Sequence, residues 1–200
     1  MRLAGSRLLG AAAVLALTVV LGCSAQRRAS ATPGPSPLDT SLDAVFTSPS
    51  GLYTIRYNHA WPSQQLPSLA GLVDYFKLPN ATFAVATDRV LPGTTLDAFV
   101  QATLTQYTTA KIQSVQRVGT VGIGGGRGVL LHALTYVTPQ GVTVATPPSA
   151  GAQPRNLYQA FYLAGEQSFT FSIAWPRDGK TDYLDLFRSL LETFTLAGAT

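Results

Sequence analysis

Apolar and polar positions alternate through the second half of the chain. At residues 168–175, Phe169, Phe171, Ile173 and Trp175 point one way and Ser168, Thr170 and Ser172 the other, which predicts a strand with one core face and one wetter face. Residues 157–163 form its hairpin partner across Ala164-Gly165-Glu166-Gln167. Shorter β-rich runs at 45–47 and 52–57 flank the turn residues Ser48-Pro49-Ser50-Gly51, and runs at 71–77 and 81–88 flank Leu78-Pro79-Asn80. Between these hairpins the polar stretch 63–68, with Pro67, reads as loop. Strand-like runs at 112–123 and 129–137 bracket a glycine-rich segment, Thr138-Pro139-Gln140-Gly141 reads as a turn, and residues 146–154 read as an exposed, mobile loop.

The period changes twice. Leu96, Phe99, Val100, Thr103, Leu104 and Tyr107 recur at spacings of three and four, which predicts a helix over 94–108 capped by Thr94, with Asp97 against its positive end. Leu184, Phe187, Leu190, Leu191 and Phe194 repeat the pattern, predicting a second helix over 181–194 that starts at Thr181 and Asp182. Antiparallel hairpins with one inserted and one terminal helix predict an α+β class: an antiparallel β-sheet flanked by helices.

The N-terminus follows a different logic. Arg2 and Arg7 precede an apolar run at 8–21, broken only by Gly10 and Thr18. A spanning helix needs about 20 apolar residues, so this shorter run predicts a removable signal peptide over 1–22. Val20-Leu21-Gly22-Cys23 resembles the bacterial lipoprotein cleavage box, in which a small residue precedes the cysteine that becomes the modified N-terminus. The resemblance implies cleavage between Gly22 and Cys23 and acylation of Cys23, with membrane lipid as partner at ~0.8 kcal/mol per buried CH₂. It departs from the family's usual Leu at Val20 and smaller residue at Leu21. Residues 23–44 are then a Pro-, Ser- and Ala-rich tether, and Pro33, Pro35 and Pro37 favour extended polyproline geometry. Arg27 and Arg28 are either attracted to anionic headgroups or merely solubilising. The folded domain is expected over 45–200.

Charge adds little. The 200 residues carry 14 basic and 10 acidic side chains, a formal +4, and removal of Arg2 and Arg7 leaves 12 against 10, or +2. Nucleic-acid binding is therefore unsupported. One Cys and one Met exclude an intramolecular disulfide, a cysteine-based zinc site and a Met-rich groove.

Candidate chemistry is sparse. In Gly122-Ile123-Gly124-Gly125-Gly126-Arg127-Gly128 the sixth position of a dinucleotide fingerprint is Arg127 rather than Gly, and no Gly-Lys-Ser/Thr follows for a phosphate loop. The segment reads as a mobile hairpin turn, or else as an anion nest using backbone N–H groups and Arg127. The two histidines are His59, in a loop beside Trp61, and His132, which interrupts an apolar strand and reads as a hydrogen-bonded sheet residue. Asp178, Asp182 and Asp185 surround a helix start and suit dipole compensation better than a metal site. No nucleophile elbow, metal-protease helix or identifiable carboxylate pair occurs, so no catalytic residue, metal or cofactor is expected. Arg127, Trp61 and His59 are the ligand-binding candidates.

Phe46-Thr-Ser-Pro-Ser-Gly-Leu-Tyr-Thr-Ile, then Tyr57-Asn-His-Ala-Trp-Pro, a helix after the second hairpin, a glycine-rich turn, paired long strands and a C-terminal helix resemble PsbP-like domains over residues 45–196. The resemblance implies an αβα sandwich. Some members are extrinsic photosystem subunits that help retain calcium and chloride, and many bacterial members are lipoproteins without known activity. No metal-binding or photosystem-contact residue carries over by position. The expectation is a membrane-tethered, extracytoplasmic, non-catalytic module with a protein or small-molecule partner; the alternative is an extrinsic subunit or assembly factor of a membrane complex.

Overall fold

The computed structural model describes residues 39–68, 71–110, 112–137, 143–144, 152–178 and 181–198. The signal segment, Gly22, Cys23, the tether as far as 38, the turn at 138–141 and the loop from 146 to 151 lie outside the described residues.

Alternation produces strands where it was strongest. β1 (Ala44–Thr47) and β2 (Tyr53–Tyr57) form the entry hairpin, with Phe46 opposite Ile55. β3 (Ser63–Ser68), β4 (Gly71–Lys77) and β5 (Thr82–Arg89) form an antiparallel meander. Then come α1 (Leu96–Thr109), β6 (Gln113–Ile123), β7 (Gly126–Val137) and the two-residue β8 (Thr143–Val144). β9 (Pro154–Ala164) and β10 (Gln167–Pro176) pair along ten positions, and α2 (Leu184–Glu192) and β11 (Thr195–Leu196) finish the chain. The large sheet has the order β3-β4-β5-β10-β9-β7-β6, with β8 on β7; a second sheet has the order β1-β2-β11.

Two opposed faces explain the layers. On β10, Phe169, Phe171, Ile173 and Trp175 pack with Leu186, Phe187, Leu190 and Leu191 of α2 and with Tyr53 and Ile55 of the small sheet. Phe194, just beyond α2, lies 5.0 Å from the Phe171 ring and 5.5 Å from the Tyr53 ring, so it joins helix, small sheet and large sheet in one cluster. On the opposite face α1 covers β7 and β9, where Val100 meets Val129, Leu131 and Phe161. Each fully buried aromatic or aliphatic side chain contributes about 1.5–3 kcal/mol of transfer free energy.

The αβα sandwich expected for this α+β chain is not what forms. Among the described residues the protein is mostly β, with two antiparallel sheets and two helices of 14 and 9 residues. One face of the large sheet is covered by a short helix together with a second sheet rather than by a helical layer. The expectation failed on elements without an apolar signature. Ser63–Ser68 is strand β3 rather than loop, and its proline is tolerated because β3 is the sheet edge. β11 is two residues long and exists because β2 offers it a free edge.

Smaller corrections concern ends and faces. Thr95, not Thr94, caps α1, its Oγ1 accepting from the Ala98 N–H at 3.2 Å. α2 begins later than expected, with the Leu184 N–H donating to Asp182 Oδ1 at 2.9 Å. The supposedly wet side of β10 is closed at one end, with Ser168 at 2% and Thr170 at 4% exposure, while Ser172 is half-buried.

Candidate functional site

The three residues singled out from sequence do not converge. Trp61 belongs to the main core cluster and is buried, with its backbone N–H donating to the Asn58 carbonyl at 2.9 Å. His59 stands beside it in sequence but is exposed, and its Nδ1 lies 2.5 Å from Asp43 Oδ2 while its backbone N–H donates to Asp43 Oδ1 at 3.0 Å. That backbone N–H, followed by the ring, holds the Asp43 carboxyl below its ordinary value. The dyad lacks a serine nucleophile: nearby Ser41 Oγ accepts from Asn58 Nδ2 at 3.0 Å. Arg127 is exposed on β7 opposite Gly122, and among the described residues no hydrogen bond, ion pair or ring contact joins it to His59 or Trp61.

The glycines around Arg127 are explained by close packing. Gly124 and Gly125 both have positive φ, 53° and 81°, and form the two-residue turn between β6 and β7. The Gly124 N–H donates to the Leu191 carbonyl at 3.1 Å, and a Cβ at Gly124 would stand 2.1 Å from the Phe194 carbonyl oxygen. A Cβ at Gly126 would meet the Tyr162 ring at 2.7 Å. The hairpin is as expected. Its tip, however, is held against the end of α2, and one amide an anion nest would need is already engaged.

A different group is assembled by strand register. His132 on β7 pairs with Tyr158 on β9, and Trp175 on β10 is diagonal to Tyr158 because it pairs with Asn156. The rings form a ladder: His132 to Tyr158 at 4.5 Å, Tyr158 to Trp175 at 5.4 Å and 8° between planes, Trp175 to Tyr183 at 5.8 Å. Trp175 and Tyr183 are buried, whereas His132 and Tyr158 are half-exposed, so the ladder surfaces at one end. Two amides flank it, with Asn156 Oδ1 at 3.3 Å from His132 Nε2 and Gln116 Nε2 at 3.5 Å from Nδ1. The Tyr158 phenol is raised above its ordinary value chiefly by burial, then by the charge of Asp182, with Arg188 opposing. No carboxylate hydrogen-bonds His132 among the described residues, so the group presents planar rings and amide hydrogen-bonding groups rather than an acid–base pair.

From sequence His132 reads as an isolated sheet residue, with nothing to join it to Tyr158. The signal that joins them is the register of β7 on β9, and neither strand alone contains it.

A second group is fully enclosed. Asp74 on β4 is 4% exposed and accepts from the Tyr53 hydroxyl at 2.6 Å, Ser48 Oγ at 2.9 Å and Gln65 Nε2 at 3.0 Å. Three neutral donors replace water around the carboxylate, and the Tyr53 phenol is pushed far up by burial first and by Asp74 next. The network ties the small sheet to β3 and β4 of the large one. Among the described residues no cluster of three or more His, Cys, Asp or Glu side chains is placed to hold a metal ion, and no helix is long and apolar enough to cross a membrane.

No protein-family model matches the chain, and no curated protein sequence matches it. Solved structures do resemble its fold. Cyanobacterial PsbP (CyanoP) from Synechocystis aligns with a TM-score of 0.50 at 13% identity, over 76% of this chain and 91% of that one. The Ran-binding protein Mog1p of Saccharomyces cerevisiae aligns at 0.51 and 10% identity, over 77% and 95%. A Bacteroides thetaiotaomicron protein aligns at 0.52 and 14% identity, covering 78% of this chain and 49% of the other, so the chain spans about half that protein's length. At such identities the likeness establishes a Mog1/PsbP-like fold and nothing finer.

Proposed function

We propose that this protein is a lipid-tethered, extracytoplasmic binding module without catalytic activity, and that the half-exposed His132–Tyr158 end of the aromatic ladder meets its partner. The ladder is the observation that carries the reading. Rigid rings cost little conformational entropy to immobilise and, flanked by amides, resemble the anchors on which protein interfaces concentrate their binding energy. The tether rests on the Gly22-Cys23 box at the end of the apolar run. The folds of CyanoP and Mog1p support a protein partner, and the former supports the second reading, an extrinsic subunit or assembly factor of a membrane complex.

Cross-linking and pull-down from intact cells tests both, using the full-length protein, Cys23→Ala, and a His132→Ala/Tyr158→Ala double variant. Cys23→Ala is expected to fold normally and leave the membrane fraction, and the double variant to stay membrane-bound but lose its partner. Retention of Cys23→Ala on the membrane after signal cleavage would refute the lipid tether. Undiminished capture by the double variant would remove the ladder as the contact surface.

A further inference from the structure

Arg155, on the face of the large sheet away from α2, forms no ion pair with a described residue. It opens β9 opposite Pro176, and the residues sharing its face along β10 and β5 are small: Ser172, Ala174, Thr82 and Ala84. The guanidinium reaches across β10, where Nη2 donates to the Ala174 carbonyl at 3.0 Å. Beside it stands the buried Tyr75, whose hydroxyl meets Thr82 and whose phenol is raised by burial while Thr82 and the charge of Arg155 oppose that rise. Arg155 Nε is closed to solvent and has no acceptor.

No described side chain supplies the missing partner. The ion pairs among the described residues are His59–Asp43, Arg117–Asp97 and Arg188–Asp185, and none of these involves Arg155. Arg155 is half-buried, and holding one guanidinium N–H away from water with no acceptor is costly. Desolvation accordingly lowers the Arg155 pKa from its ordinary value.

We propose that Arg155 anchors an oxyanion site, taking the carboxylate or phosphate group of a small ligand, with the Tyr75 and Thr82 hydroxyls beside it as neutral donors. The planar fork of arginine matches both groups, and the side chains beside it on β5 and β10 are small. The site lies on the opposite face from the His132–Tyr158 ladder and is independent of it.

Thermal unfolding of the full-length chain in detergent, titrated at constant ionic strength with inorganic phosphate, acetate or chloride, tests the proposal, together with Arg155→Met and Arg155→Lys. The expected result is a melting temperature that climbs with the logarithm of phosphate or acetate concentration above that in chloride, a flat response in Arg155→Met and a weakened one in Arg155→Lys. The anion giving the larger rise identifies the source class. The Arg155 Nε–H resonance is expected to move on the same titration. If Arg155→Met fails to fold, the Arg155→Lys slope and the Nε–H shift carry the comparison. Equal slopes in wild type and variants, or a response no different from chloride, would mean an adventitious ion only and overturn the proposal.

Discussion

Replacing Gly124 by alanine separates a clamped hairpin from a free one. At φ 53° a side chain takes on left-handed strain, costing roughly 1–2 kcal/mol. Its Cβ would stand 2.1 Å from the Phe194 carbonyl oxygen, so either the hairpin or the end of α2 must withdraw. Withdrawal breaks the hydrogen bond from Gly124 to Leu191, about 1 kcal/mol, and disturbs packing at Phe194, where overpacking costs about 1–3 kcal/mol. The total is on the order of 3–6 kcal/mol. Gly125 supplies the control, since at φ 81° it carries the same strain with nothing within 4 Å of its Cβ position; Gly125→Ala should lose only about 1–2 kcal/mol. Urea unfolding followed by tryptophan fluorescence measures both. With a slope of about 1–3 kcal/mol/M, Gly124→Ala should lower the midpoint by at least roughly 1 M, well beyond its neighbour. Losses equal to within about 0.5 kcal/mol would show that the tip does not bear on α2 and would return the segment to the mobile turn expected from its composition.

The Asp74 network makes a second test: Tyr53→Phe and Asp74→Ala should each destabilise by at least about 1.5–3 kcal/mol in urea unfolding, and the double variant by clearly less than the sum, because both remove the same bond; strict additivity would refute the coupling. The Asp43 carboxyl, depressed below its ordinary 3.8, makes a contribution that is complete above that value and lost as pH falls through the lower folded value; Asp43→Asn should flatten this acid limb of the stability curve, and an unchanged limb would count against the contact with His59.

What could be read from the sequence was what a single element carries within itself. The alternation of Phe169, Phe171, Ile173 and Trp175 and the stripe Leu184, Phe187, Leu190, Leu191 and Phe194 each report a buried face, and all these residues are buried except Leu184, which is half-buried while Leu186 is buried in the same helix. Ser63–Ser68 carried no such report because an edge strand can be polar on both sides, and its omission is what made the fold look more helical than it is. Sites suffered more. Asp74 looks from its neighbours like one polar position in a strand, and its three donors come from β2, β3 and the β1–β2 turn, up to 26 residues away. The ladder and the isolation of Arg155 likewise depend on which strands adjoin, a property of the whole chain. Trp61 and Arg127 were chosen for residue type, and type does not distinguish a buried anchor from an exposed charge.

β10 occupies the middle of the large sheet yet is nearly the last strand to be synthesised. Until it is made, β3-β4-β5 and β9-β7-β6 are separate antiparallel fragments, each with an open edge where β10 will lie. The α2 helix and Phe194, which close the core over both, emerge later still. Joining distant halves through a late central strand is a long-range closure, the slow kind. A nascent chain of this protein therefore cannot close its large sheet until β10 has left the ribosome, and it cannot seal the core until α2 and Phe194 have followed.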